Sequence, residues 1–98
     1  MTTTERDTAT KSRTQKPKRY TVLFLNDDFT PIEFVMEILA QVFNQSHDEA
    51  EKITMTIHRT GKCAVGLYTH EIAETKAAQA MKAAKQFEFP LTCQPEPA

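Results

Sequence analysis

The sequence has no tryptophan, two glycines and two cysteines in 98 residues. Two cysteines, Cys63 and Cys93, are too few for the disulfide framework of a small secreted domain; they suit a reducing compartment and are expected as buried fillers. With only Gly61 and Gly66, the chain has no Gly-rich loop to cradle a phosphate. Long hydrophobic runs are also missing. The stretch from Phe34 to Phe43 is broken by Glu37 and Gln41, far short of the ~18–20 apolar residues that cross a bilayer. The first residues do not join a basic region to an apolar one, so no signal peptide is expected. These absences argue against a secreted miniprotein, a membrane protein and a multidomain enzyme, and the expected location is the cytoplasm.

The net charge of −1 hides an uneven distribution. Residues 1–19 carry Arg6, Lys11, Arg13, Lys16, Lys18 and Arg19 against Glu5 and Asp7, a net of +4, which leaves −5 on residues 20–98. The first 19 residues contain no Val, Ile, Leu or aromatic side chain. Such a segment cannot bury enough apolar surface to offset its ordering entropy, so it is expected to be a flexible basic extension. Lysines and arginines release counterions from phosphates, which raises a nucleic-acid accessory role. The acidic remainder offers no groove to continue that contact, and nucleic acid is not the expected partner.

From Tyr20 onward the pattern is that of one α+β domain, 20–93. Tyr20–Leu25 is β-branched, aromatic and aliphatic, and it runs into the polar turn Asn26-Asp27-Asp28. Thr30-Pro31-Ile32-Glu33 predicts a helix start with Thr30 capping, Pro31 in the first helical position and Glu33 closing a capping box. Ile32, Val35, Met36, Leu39, Val42 and Phe43 follow at spacings of three and four. Ser46-His47-Asp48-Glu49 is a second capping box, opening a helix that ends near His58 with Gly61 as a left-handed stop. Residues 63–69 suit a strand, with Gly66 permitting close packing. Ala73, Ala77, Ala80, Met81 and Ala84 predict a helix over 70–86 that lies tightly on a sheet. Residues 87–93 are expected as a last, edge strand, because Pro90 lacks a ladder donor, and residues 94–98 as a frayed end. The expected order is β-α-α-β-α-β, a three-stranded antiparallel-type sheet with three helices on one face, and nothing calls for more than a monomer.

Few residues could carry chemistry. Asn26-Asp27-Asp28 sets two carboxylates and an amide where a strand gives way to a helix. With His58 they would suit a small metal-assisted hydrolase, although an Asx-rich turn has the same composition. The spacing of His47, His58, His70, Cys63 and Cys93 matches no metal motif, so neither a metal nor another cofactor is expected. His58 at a helix end, the acidic turn, Ile32 and Val35 could together edge a small pocket with a charged rim and an apolar floor.

These residues also carry a family resemblance. The run from Asn26 to Val35, NDDFTPIEFV, resembles the NDDYTPMEFV signature of ClpS, the bacterial adaptor of the Clp AAA+ protease. Ile57-His58, Gly61-Lys62, Ala73-Glu74-Thr75-Lys76 and Pro90-Leu91 fall in that family's order and spacing, so the likeness spans Tyr20 to Cys93. It implies a non-catalytic adaptor that binds proteins with destabilising N-terminal residues (Phe, Tyr, Trp, Leu) and hands them to the unfoldase ClpA. By position, Asn26, Asp27 and His58 resemble the ligands of the substrate α-amino group, and Thr30 the residue beside the first peptide unit. Ile32, Val35, Thr54, Ile57 and Leu91 fall where the family lines its side-chain pocket. Glu71 and Lys76 resemble the unfoldase-facing surface, and 1–19 the segment engaged during delivery.

The chemistry suits that implication. A free α-amino group has a pKa near ~7.7–8.0 and offers three donors to an amide oxygen, a carboxylate and an unprotonated imidazole nitrogen. Capture should therefore weaken as the imidazole takes up a proton. Two pocket positions depart from the family pattern, since Ile32 and Thr54 stand where methionine is common. A β-branched side chain is stiff where methionine adapts, so a more selective pocket is expected, favouring aromatic N-termini over Leu, as in a paralogue of narrower range.

Overall fold

β-branched, aromatic and aliphatic side chains fit a pleated, half-buried surface. Tyr20–Leu25 accordingly forms the central strand, β1, in the computed structural model, which describes residues 18–98. The polar turn after it leads to α1 (Ile32–Gln41) and then α2 (His47–Thr60). β2 (Lys62–Tyr68) returns antiparallel to β1, α3 (His70–Gln86) follows, and β3 (Thr92–Pro97) pairs antiparallel with the other side of β1. The sheet order is β2-β1-β3, and the element order is β-α-α-β-α-β. No helix among the described residues is long and apolar enough to cross a membrane.

Alternation along the strands selects the buried face. Val22 and Phe24 of β1, Val65 of β2 and Cys93 of β3 are buried in one cluster with the inner faces of all three helices. Ala73, Ala77, Ala80 and Ala84 are all buried, and these small side chains let α3 lie close against the sheet. Phe24 meets Phe43 edge-on at 5.2 Å between ring centroids, the arrangement an aromatic quadrupole favours.

Local signals set most element ends. Ser46 caps α2 by accepting from the Glu49 N–H at 3.2 Å, and Thr69 caps α3 by accepting from the Ile72 N–H at 3.3 Å. Gly61 ends α2 at φ 94° with its N–H on the Ile57 carbonyl, as a left-handed stop requires. Gly66, at φ 77°, sits where the β1–β2 register shifts, and a Cβ there would clash with the edge of the Tyr68 ring.

Two expectations need correction. Thr30 does not cap α1; Pro31 occupies the cap position with no side-chain bond, because the Thr30 hydroxyl is spent on Asp27. The last strand is Thr92–Pro97 rather than 87–93, so most of the segment expected to fray is paired with β1. The Ala98 N–H even donates to the Arg19 carbonyl at 2.8 Å. The strand is at an edge, as expected, but Pro95 and Pro97 are the prolines it tolerates. Most of the basic extension, residues 1–17, lies outside the described residues.

Candidate functional site

The site forms where β1 ends. The Asn26 N–H donates to the Gly61 carbonyl at 2.9 Å, and the Gly61 N–H donates to Ile57 at 2.9 Å. These two bonds tie the turn after β1 to the end of α2, so His58 in the last helical turn shares one hollow with Asn26, Asp27 and Asp28.

Asp27 organises the turn. Its Oδ1 accepts from the N–H groups of Phe29 at 2.8 Å and Thr30 at 2.7 Å, and its Oδ2 accepts from the Thr30 hydroxyl at 2.8 Å. Burial by itself would raise this carboxyl, but the three donors outweigh it and hold the group below its ordinary value of 3.8. A carboxylate has about four lone-pair sites, so Oδ2 keeps capacity for one further donor. Asn26 and His58 are exposed beside it. The lip thus presents two acceptor groups and an imidazole.

Below the lip the wall turns apolar. The hollow, about 250 Å³, is lined on this side by Ile32, Val35, Thr54 and Ile57. Val35 and Ile57 are buried, whereas Ile32 is 42% exposed and stands at the rim. A smaller cavity of about 20 Å³, lined by Val35, Ile57, Leu91 and the turn, adjoins these walls. Of the residues singled out in the sequence, Asn26, Asp27, Thr30, Ile32, Val35, Thr54, Ile57 and His58 share the larger hollow, and Leu91 borders the smaller one. Leu25 also borders the smaller cavity and was not anticipated. Its signal was its place as the last apolar residue before the acidic turn.

Other groups fall elsewhere. Among the described residues, the one group of three ligand-type side chains within 4.8 Å of one another is His47, Asp48 and Glu51, on the exposed start of α2. Asp27, Asp28 and His58 form no such group. Cys93 is buried and its thiol is pushed up to about 12 by desolvation, which keeps it protonated and inert. Cys63, half-buried, shifts in the same direction for the same reason. Glu71 lies exposed in the first turn of α3. The Lys76 ammonium is turned inward, donating to the Val42 carbonyl at 2.7 Å and lying 5.6 Å from the Tyr68 ring centroid.

The family model described as "ATP-dependent Clp protease adaptor protein ClpS" matches residues 15–94. The chain belongs to the ClpS family. It is 50% identical over 86 residues to the ATP-dependent Clp protease adapter protein ClpS of Roseobacter denitrificans, covering 88% of this chain and 76% of that one. The ClpS of Maricaulis maris is 49% identical over 86 residues, covering 88% of this chain and 79% of its own length. Among solved structures, Agrobacterium tumefaciens ClpS2 bound to L-phenylalaninamide matches with a TM-score of 0.82 and 44% identity, covering 85% of this chain and all of that one. As a ClpS protein the chain is an adaptor of the Clp protease and not an enzyme.

Proposed function

We propose that this adaptor captures proteins by their first residue, reading the free α-amino group and a bulky aromatic or hydrophobic side chain together, and delivers them to the ClpA unfoldase in the cytoplasm for degradation by ClpAP. The observation that carries this reading is the single hollow shared by Asn26, Asp27 and His58 at its lip and Ile32, Val35, Thr54 and Ile57 in its wall. An ammonium group has three donors and a positive charge. Asp27 supplies the charge complement, while the Asn26 amide oxygen and an unprotonated His58 nitrogen supply the other two acceptors. The aromatic side chain then leaves water, worth roughly 1.5–3 kcal/mol, while Thr30 and Leu91 border the first peptide unit and the floor.

Phenylalaninamide has the same two features, a free α-amino group and an aromatic side chain, with an amide where a peptide would continue. Its presence in the Agrobacterium ClpS2 structure supports the reading. Stiff Ile32 and Thr54 in place of adaptable methionines favour Phe, Tyr and Trp over Leu. Glu71 and Lys76 belong to the face of α3 that meets the unfoldase, and residues 1–19 are the segment it engages. The adaptor works as a monomer.

Fluorescence anisotropy with a labelled Phe-initiated peptide, free and N-acetylated, tests the central point. Acetylation removes the charge and two donors and should weaken binding roughly 10–100-fold, the value of one charge-assisted hydrogen bond. Equal affinity for both forms would overturn the reading.

A further inference from the structure

A groove of about 350 Å³ between α1 and the start of α2 shares no residue with the hollow except Glu33's neighbours in sequence. It is lined by Met36, Ala40 and Ala50, which are buried or half-buried, and by Glu33, Glu37 and His47, which are exposed. The two glutamates stand one turn apart on α1, a helix with no basic residue. Among the described residues the ion pairs are His47–Asp48, Lys52–Glu49 and His70–Glu74, so neither Glu33 nor Glu37 meets a cation there. Asp48 and Glu51 add further acid beside His47. An apolar floor under an acidic rim suits a positive charge carried on an aliphatic stem, which is the make-up of lysine and arginine.

The chain itself supplies such a segment. Residues 8–17 contain Lys11, Arg13 and Lys16 and no acid, whereas residues 20–98 carry a net −5. The place where this segment joins the domain also fits. Lys18 and Arg19 lead into β1 at Tyr20, which pairs with Tyr68, and the Tyr68 ring lies 6.4 Å from that of Phe43 between centroids. The extension therefore joins the sheet at the end where α1 finishes, about one helical turn from Ala40. Seventeen extended residues reach roughly 55–60 Å, and the ten residues of α1 are about 15 Å long, so length sets no limit. Spacing agrees as well. Side chains at i and i+2 of an extended segment point the same way about 6.6 Å apart, and Glu33 and Glu37 are about 6 Å apart along their helix.

We propose that residues 8–17 dock in this groove of their own chain, Lys11 and Arg13 facing Glu33 and Glu37 while their stems cover Met36 and Ala40. Two exposed ion pairs hold weakly and are screened by salt. The segment is thus held reversibly and stays available to the unfoldase proposed above. Docking also keeps a cationic segment from non-specific contact with other anionic surfaces. This does not depend on the capture mode, because neither the hollow nor a ligand takes part.

Limited trypsin cleavage of the full chain, read by mass spectrometry, tests the proposal, because trypsin cuts after Lys11 and Arg13. At low salt these two bonds should be cut roughly 2–10-fold more slowly in the wild-type chain than in Glu33→Gln/Glu37→Gln, as two exposed ion pairs allow. At ~1 M salt, where the Debye length is about 3 Å, the two proteins should be cut at one rate. Unchanged circular dichroism in the variant shows that α1 is intact. Equal rates at low salt overturn the proposal. Protection lost in Glu71→Gln/Glu74→Gln instead also overturns it, by placing the segment on α3. Protection that grows with protein concentration overturns it too, by placing the segment on a second copy.

Discussion

At the scale of single residues, Asp27 shapes the turn and is the proposed partner of the ligand's ammonium, two roles that a substitution must separate. Its carboxylate accepts three hydrogen bonds that shape the turn, so removing it disturbs more than charge. Asp27→Ala is therefore expected to lower stability as well as peptide capture, and Asp27→Asn is the sharper test. The amide keeps an oxygen for the Phe29 and Thr30 N–H groups but loses the charge facing the ligand. It should weaken capture roughly 10–100-fold with a small change in melting temperature, read by anisotropy and circular dichroism. The depressed pKa of Asp27 also fixes a sign. Its stabilising contribution is complete above the ordinary carboxylate value of 3.8 and is lost as pH falls through the lower folded value. Across pH 5–8 it stays charged, so its contribution is constant there. The acidic turn, His58, Ile32 and Val35 were legible because they stand at a strand end, a helix end and a helix start; Thr30, Thr54, Ile57 and Leu91 were named as site residues only through the family resemblance. The pairing of Thr30 with Asp27 was not legible, since a threonine before a proline reads equally well as a cap.

At the scale of elements, the two glycines differ in a measurable way: Gly61 ends α2 beside the site, and Gly66 lies within β2 at its register shift. Both have positive φ, which costs a side-chain-bearing residue roughly 1–2 kcal/mol. A Cβ at Gly61 meets nothing within 4 Å, whereas one at Gly66 would displace the Tyr68 ring. Tyr68 packs beside Phe43 and the Lys76 ammonium, so moving it disturbs a second set of contacts. Gly61→Ala should thus destabilise by about 1 kcal/mol and Gly66→Ala by about 2–3 kcal/mol, compared by urea denaturation midpoints. Equal shifts would show that Tyr68 yields at no cost. Caps and glycines made these ends readable in the sequence, and the alanine spacing gave α3 its bounds. The last strand misled for a physical reason. Phe87-Glu88-Phe89 has strand composition, but Glu88 adopts φ 62° and the two rings pack with Phe34. Gln94-Pro95-Glu96-Pro97 has the composition of a loose end, yet it pairs with β1. The Ala98 N–H points to Arg19 on the sheet. Donors alternate along an antiparallel strand, so Pro95 and Pro97 fall where an N–H would face away from β1 and none is missed.

At the scale of the whole molecule, capture and delivery are assigned to different parts of the chain, and that separation can be measured. The hollow is bounded by the β1–α1 turn, α1 and α2, and the smaller cavity beside it also by Leu91, just before β3. Glu71 lies exposed on α3, and the basic extension precedes β1. Lys76 is less free than its place on α3 suggested, because its ammonium is bound to the Val42 carbonyl. A partner contacting α3 would meet the stem of Lys76 and the carboxylate of Glu71 rather than an open cation. A chain beginning at Lys18 keeps every described element, including the Arg19–Ala98 hydrogen bond that pins β3. It should bind a Phe-initiated peptide with unchanged affinity yet fail to support degradation of a Phe-initiated reporter by ClpAP, while competing with the full-length adaptor for that reporter. Competition distinguishes lost delivery from lost folding, since only a folded chain can hold the reporter away. Degradation at the full-length rate would remove the extension from delivery and leave the α3 surface to account for it alone. A loss of peptide affinity instead would make residues 1–17 part of the binding surface.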